Sequence, residues 1–530
     1  MIQRFLFSPW FLCCCAGLSF CLGLGWTPLF DLDEGAFTEA TREMLSSGIY
    51  SATYLDGEPR YDKPIFFYWL QAASITLLGY NEWAFRLPSV IAACLWVLAV
   101  FQFVREQADR ERAYAAAFFM CACLWVALIA RSAIADALLN LFLSLTLFDI
   151  WRYFQSPPER QKRFVWRSYL WMGLGVLTKG PVAIVIPLAV SLAYLLSTRS
   201  LKKHYTVYFN PIGWLVFILV VTPWIVAVSL QQGWGFFQGF ILEHNLARFS
   251  STRENHGGSL AYYLIFLPII LLPLSGLLPP LLMRVRTLWQ NELYRFLSLW
   301  FLAFFTVFSF SKTQLPHYIL NGCVPLIILF AMLPKLDRGY RWAPIVAVLL
   351  ASIFVFLPEL LALGAEKSRG YDGAMLSRHA EVIPGDYRAW ALALLLALSA
   401  LSCVPGLRTW QRLGLCGVLI NAFVFTHVVR VYSGLQQAPI HQTIAYLEQH
   451  WPDREVVAYR MHMPSFSVYR QRITPLRRPK AGELALVRVD RLQDLQKKVE
   501  PIKTRILFSS GALVLLELET TASEPAHENK

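Results

Sequence analysis

The sequence predicts a polytopic α-helical membrane protein of about 13 spans, followed by a small α/β domain. Three observations predict it. Hydrophobic residues make up 56% of the 530 positions and charged residues 16%, with a mean hydropathy of +0.45, which excludes an ordinary soluble domain. Apolar runs able to cross about 30 Å of hydrocarbon recur between residues 5 and 432. The loops joining them alternate between strongly basic and cation-poor, as the positive-inside bias requires.

The first run, 5–25, follows Arg4 and reads as a spanning helix. A cleaved leader is the weaker reading, because no A-x-A site follows and the bulky Phe20 precedes Cys21. A first outer loop, about 27–83, comes next, and within it Ile65–Tyr80 is short, apolar and aromatic, which suits the membrane interface. Further runs lie near 84–104, 113–130, 135–154, 168–178, 181–197, 211–230, 259–282, 295–311, 316–333, 343–363, 388–404 and 413–432. Clusters such as Arg105/Arg110/Arg112, Arg160/Lys162/Arg163 and Arg199/Lys202/Lys203 mark one side, whereas Arg131, Lys179 and Lys312 stand singly on the other. The N-terminus is thereby placed in the cytoplasm and the C-terminus outside. The net charge of +13 follows from topology and anionic headgroups, and no nucleic acid is expected. The ten cysteines lie in apolar segments, which argues against a disulfide framework or a cysteine zinc site.

Polar residues return from Gly434. HQTIAYLEQH and DRLQDLQKKV have helical periodicity, REVVAYR and ELALVRV read as strands, and TRILFSS with ALVLLELE reads as a hairpin. Residues 1–433 are thus expected to form the membrane domain, and 434–530 an α/β domain on the outer side that ends in a disordered tail.

The chemistry is expected on the outer face. The stretch from Phe30 to Tyr68 concentrates carboxylates, arginines, a lysine and aromatic residues, too much ionisable chemistry for a simple connector. Asp33 precedes EGAFTEATREML, so it reads equally as a helix N-cap and as a site carboxylate. Asp136, at the outer end of the fourth span, has the same bland reading as a cap, with Arg131 in support. Lys63 stands before Pro64, which favours an extended backbone. Lys179 lies in a Gly-Pro turn, and Arg248 is spaced about one helical turn from Glu243 and His244. A lone cation usually serves only topology, but three on the cation-poor face suit a ligand bearing phosphate. Asp62, His244 and His256 supply oxygen and nitrogen donors that zinc accepts, although a solvated histidine is the commoner outcome.

The motifs DLDEGAFTEATREMLSSG, YDKPIFFYW, ARSAIADALLNLFL, GVLTKGPVAIVIP, FILEHNLARF and SFSKTQLPHYIL resemble those of bacterial polyprenyl-phosphate-dependent glycosyltransferases related to protein mannosyltransferases, closest to the lipid A aminoarabinose transferase family. The resemblance implies a GT-C fold in the inner membrane, a polyprenyl-phosphate-sugar donor and lipid A or another envelope acceptor. It implies that Asp33 and Asp136 are the functional carboxylates, that Lys63, Arg248 and Tyr318 contact the donor phosphate with Lys179 nearby, and that Asp62, His244 and His256 are the counterparts of a zinc site. This chain carries Asp62-Lys63-Pro64 where the aminoarabinose branch typically has Glu-Lys-Pro. It also implies a monomer. Two other functions remain: O-glycosylation of protein, and transport of a lipid or solute. Transport is disfavoured because the halves show no internal repeat and the charges gather at one face, not at the midplane.

Overall fold

The computed structural model describes residues 6–246, 261–312, 314–334, 336, 340–500 and 502–519. Apolar segments become helices because a backbone away from water must satisfy its own hydrogen bonds. Among the described residues five helices are long and apolar enough to cross a membrane: Glu82–Gln107, Asp136–Gln155, Leu201–His244, Glu292–Ser309 and Thr409–Gln436. Counting three sharply bent pairs as single spans gives eight, and Pro9–Cys21, Phe66–Leu78, Val182–Ser197, Leu320–Ala331 and Tyr387–Cys403 are shorter apolar helices. Asn81 and Asp109 cap their helices by accepting from Ala84 N and Arg112 N.

Leu320–Ala331 is buried along its whole length, whereas other helices leave an apolar stripe bare. Ile91, Leu95 and Leu98 are exposed on one helix, and Val185, Leu188 and Leu192 on another, a spacing that lines up one face. Apolar stripes of that kind suit contact with lipid tails. Inside, some polar groups pair across helices: Trp96 Nε1 donates to Ser144 Oγ at 2.8 Å, and Asn421 Nδ2 donates to Cys121 O at 2.9 Å and Ser19 Oγ at 3.2 Å.

Two segments differ from expectation. The first helix, described over Pro9–Cys21, covers less chain than the run 5–25, because its regular hydrogen bonding ends at Leu22. The helix before Lys179 starts at Pro158, so the Arg160–Arg167 cluster is helical and not a loop; proline at the first position has a preset φ and lacks an N–H that would be orphaned there anyway.

The first outer loop is ordered. It contains the Asp33–Ser47 helix and a hairpin of β1 (Tyr54–Leu55) and β2 (Glu58–Pro59) turned by Asp56-Gly57, whose φ values are both positive. The Phe66–Leu78 helix supports it: Phe37 stacks on Tyr68 at 5.2 Å, and Thr41 Oγ1 donates to Gln71 Oε1 at 2.8 Å.

Residues 438–518 form a four-stranded sheet with helices on both faces. β3 (Val456–Tyr459) runs parallel to β4 (Leu484–Arg488), and β6 (Leu513–Leu518) pairs antiparallel with both β4 and β5 (Thr504–Ser510). Strand side chains alternate between faces. Leu484, Leu486, Leu513 and Leu515 therefore pack on the Ala438–His450 helix, and Ala485, Val487, Val514 and Leu516 on the Leu492–Val499 helix.

Candidate functional site

Lys63, Lys179, Tyr318, Asp62 and His244 line one cavity of about 350 Å³ together with Ser311. They arrive from four separate places in the chain. Asp62 and Lys63 come from the loop after β2, Lys179 ends the Pro158–Lys179 helix, His244 lies in the wide helical segment Gln238–Leu246, and Ser311 and Tyr318 flank the turn before Leu320–Ala331. Gly180 permits this convergence: its φ is 88°, and a Cβ there would lie 2.4 Å from the Phe240 ring.

The charges are organised in pairs. Asp62 Oδ1 takes Lys63 Nζ at 2.7 Å and faces His244 Nδ1 at 3.3 Å, while its Oδ2 faces Arg60 Nη2 at 3.3 Å. Lys179 Nζ is 2.6 Å from Asp136 Oδ1 and lies over the Tyr318 ring, 5.6 Å from its centre. Asp136 is buried at the first position of the Asp136–Gln155 helix, where Ala135 is the cap position, and it faces Lys179 as a counter-charge. Arg131 takes no part in this pair; its guanidinium lies 4.0 Å above the centre of the Phe425 ring. Val182, Val185, Ile186, Ile241 and Val307 add apolar surface to the same cavity, which thus combines ion-paired lysines with walls that accept hydrocarbon.

Asp33 sits outside this lining, as the first residue of its helix. Leu32 is the cap position and no side chain caps there, so the N-cap reading of Asp33 does not hold. The Asp33 side chain is exposed and has no hydrogen bond among the described residues. Arg60 joins it to the cavity. Its guanidinium donates to Ala36 O, reaches Asp62, lies over the Phe37 ring at 5.2 Å and interacts electrostatically with Asp33. Burial opposes that charge, but Tyr68, Asp62 and Asp33 more than offset it and lift the guanidinium above its ordinary value.

The helix carrying Asp33 is clamped by Glu34. Its Oε1 accepts from Arg86 Nε at 2.9 Å and Ala133 N at 2.7 Å, and its Oε2 accepts from Arg86 Nη2 at 2.9 Å and Phe30 N at 2.9 Å. Burial alone would push the carboxyl up; the Arg86 cation and the backbone donors outweigh it and hold Glu34 below the usual carboxylate range. Sequence reasoning missed Arg60, Glu34 and Arg86 as site elements. The available signal was Arg86 itself, a cation at the head of an apolar run, which requires a nearby anion.

Arg248 and His256 lie outside the described residues. Among the described residues no group of three His, Cys, Asp or Glu could hold a metal ion. Asp62 and His244 are adjacent, but the Asp62 oxygen facing His244 is also the one paired with Lys63. A larger groove of about 830 Å³ runs elsewhere along Phe66–Leu78 and Glu82–Gln107; its walls are almost wholly apolar, with Arg152 and Arg167 at one end, so it lacks the convergent charges of the smaller cavity.

Residues 62–226, which include Asp62, Lys63, Asp136 and Lys179, match the family described as dolichyl-phosphate-mannose-protein mannosyltransferase. The structure resembles that of ArnT from Cupriavidus metallidurans bound to undecaprenyl phosphate, with a TM-score of 0.81 and 18% identity over 96% of this chain and 97% of that one. The fold is that of ArnT. In sequence, the undecaprenyl phosphate-alpha-4-amino-4-deoxy-L-arabinose arabinosyl transferase of Erwinia tasmaniensis is 30% identical over 308 residues, 57% of this chain and 55% of that protein. Its namesake in Aeromonas salmonicida is 29% identical over 415 residues, 76% of this chain and 74% of that protein. The match spans about half the length of the first of these relatives. The resemblance read from the motifs is thus present in sequence and in the ArnT fold alike, and the Asp62–Lys63 loop falls at the start of the matched region.

Proposed function

We propose that the protein is an integral-membrane glycosyltransferase that moves a sugar, 4-amino-4-deoxy-L-arabinose or a close relative, from undecaprenyl phosphate to lipid A or another envelope acceptor. One observation carries the reading: two lysines and a tyrosine line the same cavity as a set of apolar side chains, which suits a phosphate attached to a hydrocarbon chain. The names of the relatives support the donor and the sugar.

In the transfer, an acceptor oxygen forms a bond to the anomeric carbon while the bond from that carbon to the lipid phosphate oxygen breaks. The electron pair leaves on the phosphate, where negative charge grows. Lys63 and Lys179 stabilise that growing charge, and Arg248 belongs to the same set, so these cations act chiefly in the transition state. Tyr318 orients the phosphate. Asp136 fixes Lys179. Asp33 takes the proton of a hydroxyl acceptor; with an acceptor phosphate, already ionised, it positions that group or stabilises positive charge at the anomeric carbon.

The reading also includes about 13 spans in a bacterial inner membrane, with the C-terminal residues 434–530 as a periplasmic domain and the site on that face. The test is transfer by purified full-length protein in liposomes containing the undecaprenyl-phosphate-linked aminoarabinose and lipid A, followed by mass spectrometry. An aminopentose increment on lipid A supports the proposal. Donor consumed with no glycosylated lipid, glycan or protein, or donor left intact, overturns it.

A further inference from the structure

The three carboxylates of Asp31-Leu32-Asp33-Glu34 have different fates. Glu34 is saturated by Arg86 and two backbone N–H groups, and Asp33 is exposed. Asp31 is saturated from the opposite end of the chain: its Oδ1 accepts from Ser465 N at 2.9 Å and its Oδ2 accepts from Ser465 Oγ, across 434 positions of sequence. Gly35 belongs to the same contact, since a Cβ there would lie 2.5 Å from Asp31 Oδ1 and 2.8 Å from Ser465 N. A side chain at 35 would push the two apart.

The contact extends beyond one residue. Tyr469 Oη accepts from Leu29 N at 2.7 Å and donates to Glu82 Oε1 at 3.0 Å, Tyr80 Oη donates to Val468 O at 3.2 Å, and Ser467 Oγ donates to Asp56 Oδ1 at 3.2 Å. The Pro464–Arg470 helix therefore grips the turn before Asp33, the hairpin tip and the start of the Glu82–Gln107 helix at once. None of its residues lines the cavity. Its route to the chemistry is through the turn that Asp31 begins.

We propose that Ser465 and Asp31 are positioning residues of the transfer site: the C-terminal segment holds the turn that aims Asp33, with Glu34–Arg86 holding the same turn from inside. The proposal rests on the transferase reading above. It gives the residues after 434 a share in the reaction without requiring them to bind substrate.

The role of Asp31 depends on acceptors and shape, not on charge. Asparagine can keep both contacts, its oxygen accepting from Ser465 N and its amide donating to Ser465 Oγ, whereas alanine keeps neither. The experiment compares Asp31→Asn, Asp31→Ala and Asp33→Asn in the full-length protein in liposomes, reading kcat and KM for the lipid-linked donor. Asp31→Ala should lose about 10- to 100-fold in kcat with KM changed less than about threefold, Asp31→Asn should keep most activity, and Asp33→Asn should have none. Wild-type kcat in Asp31→Ala, or loss in Asp31→Asn as deep as in Asp31→Ala, overturns the proposal.

Hydrogen exchange provides a second reading independent of activity. Ser465→Ala should speed exchange of the amides of residues 33–36 and leave the Glu82–Gln107 helix unchanged; unchanged exchange at 33–36 overturns the proposal even if the variant is inactive. Should the wild-type protein transfer no sugar, the function falls, and the exchange result alone decides whether the contact holds the turn.

Discussion

Glu34→Gln is the sharpest test of what keeps the site in shape. Each oxygen of Glu34 accepts two N–H donors: Arg86 Nε and Ala133 N on one, Arg86 Nη2 and Phe30 N on the other. A glutamine has nearly the same shape but replaces one oxygen with an NH₂ group, so whichever way it turns, two donors face a donor. It also leaves the Arg86 guanidinium without its counter-ion, although Leu24 O, Thr27 O and Pro28 O still accept from it. Both side chains are almost fully enclosed, at 7% and 4% exposure, so solvent cannot compensate. Breaking one partner of a buried pair costs about 3–5 kcal/mol, and two stranded donors at about 1–3 kcal/mol each are already part of that sum. The measurement is the midpoint of unfolding in mixed micelles of rising SDS content, with Arg86→Met and the double variant completing a cycle. Glu34→Gln should be the more damaging single change, and the double variant should recover part of its loss. A cost below about 1 kcal/mol would refute the clamp.

Three further outcomes follow from the same geometry. Asp33→Asn should abolish transfer without altering membrane insertion or the SDS midpoint; retained activity would remove Asp33 from the chemistry. Lys63→Ala should lower the rate with the lipid-linked donor by about 10²- to 10³-fold, the usual cost of losing one charge-stabilising contact, and an unchanged donor dependence would take Lys63 out of the phosphate site. Acid should favour the buried position of Asp31. Burial lifts Asp31 to about 6 against the opposing pull of the Ser465 and Gln437 hydrogen bonds and of His462, and Tyr371 and Tyr432 face it as well. A raised carboxyl stabilises the folded contact fully below its unfolded pKa near 4, and that stabilisation is lost as pH rises through about 6. Exchange at residues 29–36, corrected for intrinsic rates, should therefore be slower at pH 5 than at pH 7.5, and Asp31→Asn should remove the difference.

Much of the architecture was legible because its causes are local. Apolar runs specify helices, and alternation in REVVAYR and ELALVRV specifies the strands that became β3 and β4. The gathering of Asp62, Lys63, Lys179, His244 and Tyr318 was legible too, since topology alone put their loops on one face. What the sequence hid was pairing. Nothing local says that Asp136 answers Lys179 and not Arg131, because both cations stand singly at the ends of apolar runs and only helix packing chooses between them. The Asp56-Gly57 hairpin was a readable turn signal, an Asp-Gly pair between Leu55 and Glu58, but strands this short have no alternation to reveal them.

The same distinction explains why a cluster of carboxylates is a poor guide to which one reacts. Asp31, Asp33 and Glu34 are chemically alike in sequence, and their separation arises from partners contributed by distant segments: Ser465 for Asp31, Arg86 and Ala133 for Glu34. A carboxylate whose oxygens are already occupied gains little by taking a substrate proton, since it must first surrender those hydrogen bonds. Asp33, whose exposed side chain has no hydrogen bond among the described residues, has no such cost, and Arg60 interacts with it electrostatically. On the proposed reading, saturation of its neighbours is what singles Asp33 out, and the two clamps that saturate them hold the turn that carries it.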